Sequence, residues 1–597
     1  MSARESELQN MNTWSFFLLA VATCILSTNA NSVNVTPRMK CETQLCGNTP
    51  TTRGCWGVYD LETNYYKTAP DTGKTVEVWL SVQEGTCNQD GYERPCMTFN
   101  GTMPGPPIIA DWGDRLKVHV TNNLESNGTS VHWHGVHLRN SNQWDGVPGV
   151  TQCPIAPGES LTYDFKVTQY GTSWYHSHFS LQSSEGLFGP LIFNGPASAN
   201  YDEDLGALFL QDWAHIPTFV EWEAKQKFGI TSAQSATLIN GTNTFNCTAE
   251  PHENCVGGGK KFEMGFQQGK KYRIRLINVA IDSQFQFSID GHSLTVISND
   301  FVPIKPYLAD SIIVNVGQRY DVIVEANAPP GDYWLRGGWV QSCQGVANDH
   351  PESATGIVRY NLQSQRDPTS TSTLSGPTSC LDEPQANLVP YLEVDVGSII
   401  DTTVEDVNVR LTNAAMFQWT INSSSLVLDW GRPTVQQIYD KERIFPSPYN
   451  VVEVEKESEA KEEWAVLVIE NKAAAFFGGI AHPIHFHGHD FWILAQESHP
   501  WDGSSASFQT KNPVRRDTAV LPAHGYLALA FQLDNPGAWL VHCHIAWHAS
   551  MGLALEFVES ENSISTSMGG WKTLDSTCKS WSAWSRGAPY GQGDSGI

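Results

Sequence analysis

The sequence predicts an all-β protein composed of several sandwich domains. Aromatic residues make up 11% of the 597 residues, and 49 Gly and 32 Pro accompany only 17% charged residues, which favours short strands and turns over long charged helices. Segments in which apolar and polar residues alternate recur along the chain, such as RLKVHVTNN at 115–123 and YLALAFQLDN at 526–535. A chain of this length needs more than one hydrophobic core, so we expect three β-domains.

Two polar stretches predict where these domains meet. NGPASANYDEDLG lies near residue 200, and the Ser/Thr/Pro-rich SQRDPTSTSTLSGPTS covers 364–379, which is typical of a linker. The predicted organisation is a signal peptide at 1–30, β-domains at 31–198, 199–363 and 385–560, a linker at 364–384 and a C-terminal tail at 561–597.

The N-terminal segment predicts secretion to the extracellular space. The apolar run WSFFLLAVATCIL, Trp14–Leu26, is followed by small residues up to Ala30, as in a cleaved signal peptide, and it is short for a membrane anchor. Asn-X-Ser/Thr sequons, the acceptors of N-linked glycans, are consistent with this route. They begin at Asn34, Asn100, Asn127, Asn240, Asn246 and Asn422.

The overall charge limits the possible partners. The formal net charge is -26, which disfavours binding to nucleic acid or to anionic membranes. We therefore expect a small neutral or cationic partner and a monomeric protein.

The cysteines predict disulfides in an oxidising compartment. Four pairs lie close in sequence: Cys46/Cys55, Cys87/Cys96, Cys247/Cys255 and Cys343/Cys380. Cys153 and Cys578 remain and could tie the C-terminal end to the first third of the chain. Cys41 and Cys543 are left unpaired, and because Cys543 is flanked by histidines, it is the natural candidate for a metal ligand.

Ten of the 19 histidines fall into four short clusters, each containing a His-X-His pair, and together these favour a metal cluster over an accidental pattern. On a strand, residues two apart share a face, so His542 and His544 point one way and Cys543 the other. The clusters are HWHG with His132 and His134, WYHSH with His176 and His178, HPIHFHGH with His482, His485 and His487, and HCHIAWH with His542, His544 and His548.

The types of ligand indicate copper. A thiolate with two imidazoles is the trigonal arrangement of blue copper, and Cys543, His548 and His482 would supply it. His482 precedes His485 by three residues, so it points away from the face of His485 and can join Cys543. The other eight histidines would form one multinuclear cluster between the first and third domains. Zinc is the competing metal, but zinc sites use three or four ligands, which eight paired imidazoles fit poorly.

These motifs resemble those of the multicopper oxidases, and specifically the fungal laccases of ascomycete type. All four clusters match in the order of the family and span some four hundred residues. The resemblance implies three cupredoxin-like (plastocyanin-like) Greek-key β-sandwich domains and four copper ions: one type 1, one type 2 and two type 3. By position, the implied type 1 ligands are His482, Cys543 and His548, the type 2 ligands are His132 and His485, and the type 3 ligands are His134, His176, His178, His487, His542 and His544.

The resemblance also implies roles around the copper ions. The axial position beside the type 1 copper, five residues after His548, falls on Leu553, which does not coordinate and implies a relatively high potential; Met551 is interpreted as a packing residue. Asp145 lies where the family keeps an acid near the type 2 copper, although a turn-forming Asp before Gly is the alternative. His489 and Asp490 are expected to support the ligands or to lie in a loop, and His137 and His524 are unassigned.

Two further comparisons with the family concern the tail and the substrate. The sequence ends in GDSGI, close to the DSGL with which these laccases plug a solvent channel, so we expect the tail to act as a plug rather than a disordered end. The carboxylate that accepts the phenol proton in many laccases would align with Lys260 or Lys261, with Glu263 offset. This departure weakens the substrate assignment.

The predicted function is therefore one-electron oxidation of a small phenolic substrate at the type 1 site, coupled to four-electron reduction of O2 to water. Cys543 and His482 would act in electron transfer, and Asp145 in proton supply. A pathway-specific phenol-coupling oxidase of pigment or secondary metabolism is an alternative with the same ligands. A ferroxidase or ascorbate oxidase is less favoured, and an electron carrier or copper store would leave eight imidazoles unexplained.

Overall fold

The structure is a computed structural model, and it describes residues 46–597 apart from 230, 341, 342, 344–346, 373–379, 443, 459 and 474. The predicted signal peptide at 1–30, the sequon at Asn34 and Cys41 lie outside these residues. Within the described part of the chain, no helix is both long and apolar enough to cross a membrane.

The fold class predicted from the sequence is confirmed, because three successive pairs of β-sheets account for most of the ordered elements. We call them the first, second and third sandwiches. The first pairs a four-stranded sheet, ordered β4-β3-β6-β8, with a second one, ordered β5-β10-β9-β7. Its strands and a preceding two-stranded sheet are β1 (Cys55–Trp56), β2 (Tyr59–Asp60), β3 (Thr75–Asn88), β4 (Glu93–Phe99), β5 (Ile108–Asp111), β6 (Arg115–Asn122), β7 (His132–Trp133), β8 (Ser160–Lys166), β9 (Gly171–His176) and β10 (Phe188–Asn194).

The second sandwich has a six-stranded sheet, ordered β12-β11-β14-β19-β16-β17, against a five-stranded one, ordered β13-β21-β20-β15-β18. Helix α1 (Thr218–Phe228) follows its first strand. The strands are β11 (Glu203–Trp213), β12 (Ala236–Ile239), β13 (Glu263–Gly265), β14 (Lys271–Asn278), β15 (Phe285–Ile289), β16 (Leu294–Asn299), β17 (Val302–Ala309), β18 (Ile312–Val314), β19 (Arg319–Glu325), β20 (Asp332–Trp339) and β21 (Thr355–Arg359).

The third sandwich repeats this plan with sheets ordered β23-β22-β25-β30-β27-β28 and β24-β32-β31-β26-β29. Helix α2 (Thr434–Tyr439) and helix α3 (Ala546–Ser550) interrupt it, and α4 (Glu561–Ser567) and α5 (Trp571–Ser585) follow it. The strands are β22 (Ser398–Leu411), β23 (Phe417–Thr420), β24 (Val451–Val454), β25 (Glu463–Asn471), β26 (His482–Phe486), β27 (Phe491–Glu497), β28 (Arg515–Arg516), β29 (Thr518–Leu521), β30 (Tyr526–Gln532), β31 (Gly537–Cys543) and β32 (Ala554–Glu559).

Burial separates the outer strands from those that carry the histidine clusters. Along β6 every second residue is buried, as expected for a strand with one face toward the core. Strand β31 is buried at every position, and a loop of the first sandwich caps the edge of the strand where β26 does not pair with it. There the Asn142 side-chain amide donates to the Ala538 carbonyl at 2.7 Å and accepts from the Ala538 backbone N–H at 3.1 Å.

The disulfide predictions are confirmed. The four local pairs form as expected, and Cys153–Cys578 ties helix α5 to the first sandwich across 425 residues of sequence. Cys543 is the free cysteine of the described residues, and it is buried. The five sequons that the structure describes begin at asparagines that are at least partly exposed.

Candidate metal centres

Strand pairing brings the first two histidine clusters together. In the first sandwich β7 pairs with β9 so that His132 lies directly opposite His176. Their partners His134 and His178 follow at the ends of these two strands. All four side chains are buried, so the two His-X-His motifs face one interior site.

Pairing in the third sandwich separates Cys543 from its histidine neighbours. His485 on β26 lies opposite His542 on β31, and Ile484 lies opposite Cys543. His482 is two residues from Ile484, so it shares the face of Cys543, while His485 shares the face of His542. Two separate sites are therefore built on the two faces of this strand pair, as the sequence predicts.

Eight imidazoles meet between the first and third sandwiches. Three groups have ligand nitrogens within 4.8 Å of one another, and every member is buried. The first two groups use six different histidines, and the third adds the remaining two. The groups are His134, His176 and His544; His178, His487 and His542; and His132, His134 and His485.

Hydrogen bonds orient these rings. The Nδ1 atoms of four rings lie 2.8–2.9 Å from backbone carbonyl oxygens: those of His132, His176, His485 and His542. A carbonyl oxygen can only accept a hydrogen bond, so Nδ1 carries the proton and Nε2 keeps the lone pair. Nε2 of His132, His176 and His485 has no hydrogen-bond partner among the described residues. Buried nitrogens without a partner and aimed at one another fit metal ligation.

Electrostatics favour the neutral imidazoles that a metal needs. Burial lowers the pKa values of His176, His178 and His487 well below the ordinary value, and neighbouring histidines lower them further. The same holds for His134, His485 and His544, whereas burial lowers the pKa of His542 to about 4.

The second site is a trio of one thiol and two imidazoles. Cys543 Sγ lies 3.6 Å from Nδ1 of His482 and 3.6 Å from Nδ1 of His548, and these two nitrogens are 3.2 Å apart. Burial raises the pKa of the Cys543 thiol and lowers that of His482 to about 3. A thiolate here therefore needs a cation, and one sulfur with two imidazole nitrogens suits copper.

Leu553 is anchored next to this trio through its main chain. The Leu553 N–H donates to the His548 carbonyl at 2.9 Å, and the Cys543 N–H donates to the Leu553 carbonyl at 3.0 Å. The leucine side chain is buried. Met551 lines a cavity beside His548 and is also buried.

Asp145 contacts two of the clustered histidines. Its Oδ2 accepts from His487 Nδ1 at 2.8 Å, and its Oδ1 lies 3.2 Å from His132 Nδ1. The side chain is fully buried. The carboxylate therefore bridges a histidine of the first sandwich and one of the third.

Asp517 is a site residue that reasoning from the sequence missed. Its backbone carbonyl accepts from His485 Nδ1, its Oδ1 lies 3.2 Å from His134 Nε2, and both oxygens accept from Arg319 at 2.6 Å. Arg319 begins β19 of the second sandwich. A signal was present in RRDT, residues 515–518, because consecutive charged residues inside a strand-rich segment indicate a buried ion pair.

The remaining histidines near the clusters form an outer network. His489 Nε2 lies 3.0 Å from the Glu559 carboxylate, and its Nδ1 lies 3.0 Å from the His487 carbonyl. His137 Nε2 lies 3.2 Å from the Asp490 carboxylate, which also accepts from the Tyr66 hydroxyl at 2.8 Å. His524 lies apart from both clusters, and its N–H donates to the Gly478 carbonyl.

A cavity of about 30 Å³ opens onto His548. Aromatic rings form much of its wall. The centre of the Trp419 ring lies 4.5 Å from that of His548 and 4.6 Å from that of His482, and the Phe477 ring centre lies 5.9 Å from that of Trp419. Asp282 and Lys225, both from the second sandwich, are its charged lining residues. Burial is the main reason that the pKa of Asp282 is raised to about 7. We call this cavity the donor pocket.

The alignment of a family carboxylate with Lys260, Lys261 or Glu263 does not locate the acid of this pocket. Glu263 forms a bidentate salt bridge with Arg359 at 2.6 and 2.7 Å, and the Lys261 ammonium donates to Thr355 Oγ1 at 2.8 Å. The carboxylate beside His548 is Asp282, on the loop after β14, where backbone N–H groups of Ile281 and Asp282 donate to Asp212.

The C-terminal tail ends between the two sites. The Asp594 carboxylate accepts from the Ser180 hydroxyl, two residues after His178. The Ser550 hydroxyl, two residues after His548, donates to the Ile597 carbonyl at 3.1 Å, and Trp430 Nε1 donates to the Gly596 carbonyl at 2.9 Å. Burial raises the pKa of Asp594 to about 6. The last four residues are thus built into the molecule.

Comparison with known proteins is consistent across the three sandwiches. Models of multicopper oxidase domains match residues 81–198, 205–363 and 409–563. Laccase-2 of Botryotinia fuckeliana is 56% identical over 559 residues, 93% of this chain and 94% of that protein. The crystal structure of the laccase from Botrytis aclada is 56% identical, with a TM-score of 0.87 over 92% of this chain and 100% of that one. The crystal structure of Fet3p, a multicopper oxidase that functions in iron import, is 26% identical, with a TM-score of 0.76 over 85% of this chain and 95% of that one.

The Arg319–Asp517 pair yields a prediction about stability. Arg319→Met would leave a buried carboxylate without its countercharge, which typically costs about 3–5 kcal/mol of unfolding free energy. The matched control is Arg115→Met, which removes the Arg115–Asp164 pair, where the arginine side chain is 54% exposed. Its loss should cost about 0–1 kcal/mol of unfolding free energy. Guanidinium unfolding followed by tryptophan fluorescence measures both. Equal losses in the two variants would contradict a special role for the buried pair.

Proposed function

Because the chain belongs to the multicopper oxidase family, we propose that it works as a laccase, a copper-dependent oxidoreductase that takes single electrons from phenols and reduces O2 to water. The observation that carries this proposal is that two neighbouring residues of β31, His542 and Cys543, belong to two different sites: the eight-imidazole cluster and the trio of one thiol and two imidazoles. The net reaction converts four phenols and one O2 into four phenoxyl radicals and two waters. The 56% identity to a laccase supports phenols as donors.

Copper binding follows from family membership, and we assign the individual sites as follows. His482, Cys543 and His548 would hold the type 1 copper, with Leu553 beside them as a side chain that offers no ligand atom. His132 and His485 would hold the type 2 copper, and the two remaining trios of the cluster would hold the type 3 pair. When bound, copper supplies a one-electron acceptor at the trio and the centre for O2 reduction at the cluster.

The polypeptide contributes connection and orientation. Cys543 is covalently bonded to His542 and His544 through single peptide links, so the two sites are joined by a short run of bonds. Nδ1 hydrogen bonds to oxygen atoms orient five of the eight rings before any metal binds, which lowers the cost of assembling the site.

Protons are handled by two buried acids. Asp282 accepts the phenolic proton in the donor pocket as the electron leaves, and its raised pKa, about 7, places it in the range of an effective base. Asp145 holds His132 and His487 in register and is the acid beside the type 2 ligands that supplies protons to O2 reduction.

Secretion belongs to the proposal as well. Five disulfides within the described residues fit an oxidising compartment, and the sequons in that part of the chain are accessible to glycan transfer. The domain boundaries at 198, 363 and 385 and the plug at 561–597 are proposed on the sequence patterns that predict them.

Oxygen uptake by the purified, copper-loaded protein with a methoxyphenol donor tests the function. We expect about four one-electron equivalents of phenol consumed per O2 and no released peroxide, since the four copper ions together store the electrons. Released peroxide would contradict a complete cluster. Uptake with iron(II) or ascorbate but with no phenol would replace the substrate class while leaving the copper assignment in place.

Asp145→Asn tests the orientation of the cluster. An amide oxygen is a weaker acceptor than the carboxylate oxygen to which His487 Nδ1 donates, so we expect copper affinity at the cluster to fall by about 10–100-fold. Titration with a competing chelator measures it. The control is Asp90→Asn, which weakens a comparable carboxylate–imidazole contact, that of Asp90 with His215 Nε2 at 2.9 Å. This contact lies outside the cluster, so copper affinity should stay unchanged.

Asp282→Asn tests the proton acceptor. We expect kcat/KM for a neutral phenol to fall by about 100-fold, because general bases contribute effects of that size. Ferrocyanide gives up an electron without a proton, so its oxidation should change little. A similar loss with both donors would show that the substitution damages electron transfer and would contradict a role as base.

A further inference from the structure

Lys225 is a buried cation in the donor pocket. Its side chain belongs to α1 of the second sandwich, and the residue is only 5% exposed. The helix is held against the third sandwich by Trp222, whose ring is parallel to that of Trp547 at 6.5 Å. The Lys225 ammonium lies 5.8 Å from the Trp547 ring centre, and it shares the pocket lining with His548.

This ammonium has no anionic partner. Among the residues that the structure describes, none lies within salt-bridge or hydrogen-bond distance of Lys225 Nζ, whereas Lys227 on the same helix pairs with Glu223. Glu221 accepts from the Ser232 N–H at 2.8 Å instead. Burial lowers the pKa of Lys225, and the more distant carboxylates of Asp282 and Glu221 oppose this shift. Burying an ammonium whose N–H groups have no acceptor costs folding free energy, unless a ligand supplies the acceptor.

The surroundings of Lys225 define what such a ligand must look like. The ring centres of Phe417 and Phe477 lie 5.3 Å apart, and Trp419 completes an aromatic wall at the cavity, against which a planar ring can stack. His548 lies at the same cavity, at the point where a donor must come to lose its electron. A ring seated there presents its substituents to Lys225 and Asp282, one cation and one acid.

Building on the proposed function, we propose that Lys225 binds an oxyanion of the electron donor and that the pocket prefers phenolic acids, phenols that carry a carboxylate, over neutral phenols. The ammonium forms a charge-assisted hydrogen bond with the donor carboxylate, and Asp282, which lines the same pocket, faces the phenolic hydroxyl. The same ammonium could instead meet a phenolate oxygen, so the test separates the two oxyanions.

The test compares a hydroxy-dimethoxybenzoic acid with its methyl ester at a pH where both phenolic groups are neutral. For the wild type and for Lys225→Met, the ratio of kcat/KM for the acid to kcat/KM for the ester is measured, so that effects on electron transfer common to both donors cancel. Methionine keeps the apolar length of the side chain, so the buried position stays filled. Lys227→Met, a substitution at a lysine whose side chain is 44% exposed, removes the same charge from the same helix as a control.

We expect the ratio to fall by at least about 10-fold in Lys225→Met, mainly through a higher KM for the acid, and to stay within about twofold in Lys227→Met. An unchanged ratio in Lys225→Met overturns the preference for carboxylates. If kcat/KM for the ester falls as much as that for the acid, the ammonium serves the phenolic oxygen, and the preference for phenolic acids is likewise overturned.

Binding without turnover separates this inference from the proposed function. Isothermal titration of the copper-loaded enzyme with 4-methoxybenzoate, an anion with no phenolic hydroxyl, should give a Kd at least about 10-fold lower than with its methyl ester, and Lys225→Met should abolish that difference. Such binding in a protein that oxidises no phenol would refute the proposed function and keep Lys225 as an anion site. Phenol oxidation without this difference in binding would support the proposed function and refute Lys225 as an anion site.

Discussion

The structure depends on the burial of eight neutral imidazoles between the first and third sandwiches. A buried ring nitrogen without a partner is unfavourable, so each ring must spend one nitrogen on a fixed acceptor and aim the other at a shared centre. Backbone carbonyls meet this need for His132, His176, His485 and His542. These four contacts each lie within one sandwich, whereas the contacts of Asp145 with His487 and of Asp517 with His134 cross between the first and the third. The two sandwiches therefore cannot slide past each other without breaking the contacts of His487 and His134.

Charged residues extend this constraint to the second sandwich, which contributes none of the clustered histidines. Arg319 reaches from β19 to Asp517, which supports both His134 and His485. Arg516 contacts Asp300 at 3.1 Å in the same buried network. The second sandwich also supplies Lys225 and Asp282 to the donor pocket. It thus provides charges at both sites, where the other two sandwiches provide imidazoles and aromatic walls.

Sequence patterns could predict most of the strands and the candidate ligands because their signals are local. Alternation with a period of two places His542 and His544 on one face of β31 and Cys543 on the other, and the odd offset of His482 assigns it to Cys543. Asp282 and Lys225 carry no such local signal, and for Asp517 the run RRDT indicates burial of charge but not its contacts with His134 and Arg319, which lie far away in the sequence. Counting along the chain led to Lys260 or Lys261, and the nearby Glu263 is already neutralised by Arg359 within the second sandwich.

The tail shows how covalent and non-covalent constraints combine. Asp594 and Ile597 contact serines that each lie two residues after a clustered or trio histidine, so the last residues touch the surroundings of both sites. Ordering a free C-terminal segment costs backbone entropy at every residue, and a few hydrogen bonds recover only part of it. The Cys153–Cys578 disulfide shortens the segment that must be ordered to residues 579–597, and it fixes one end of that segment to the first sandwich. The disulfide therefore adds a covalent constraint to the hydrogen bonds that hold the last residues in place.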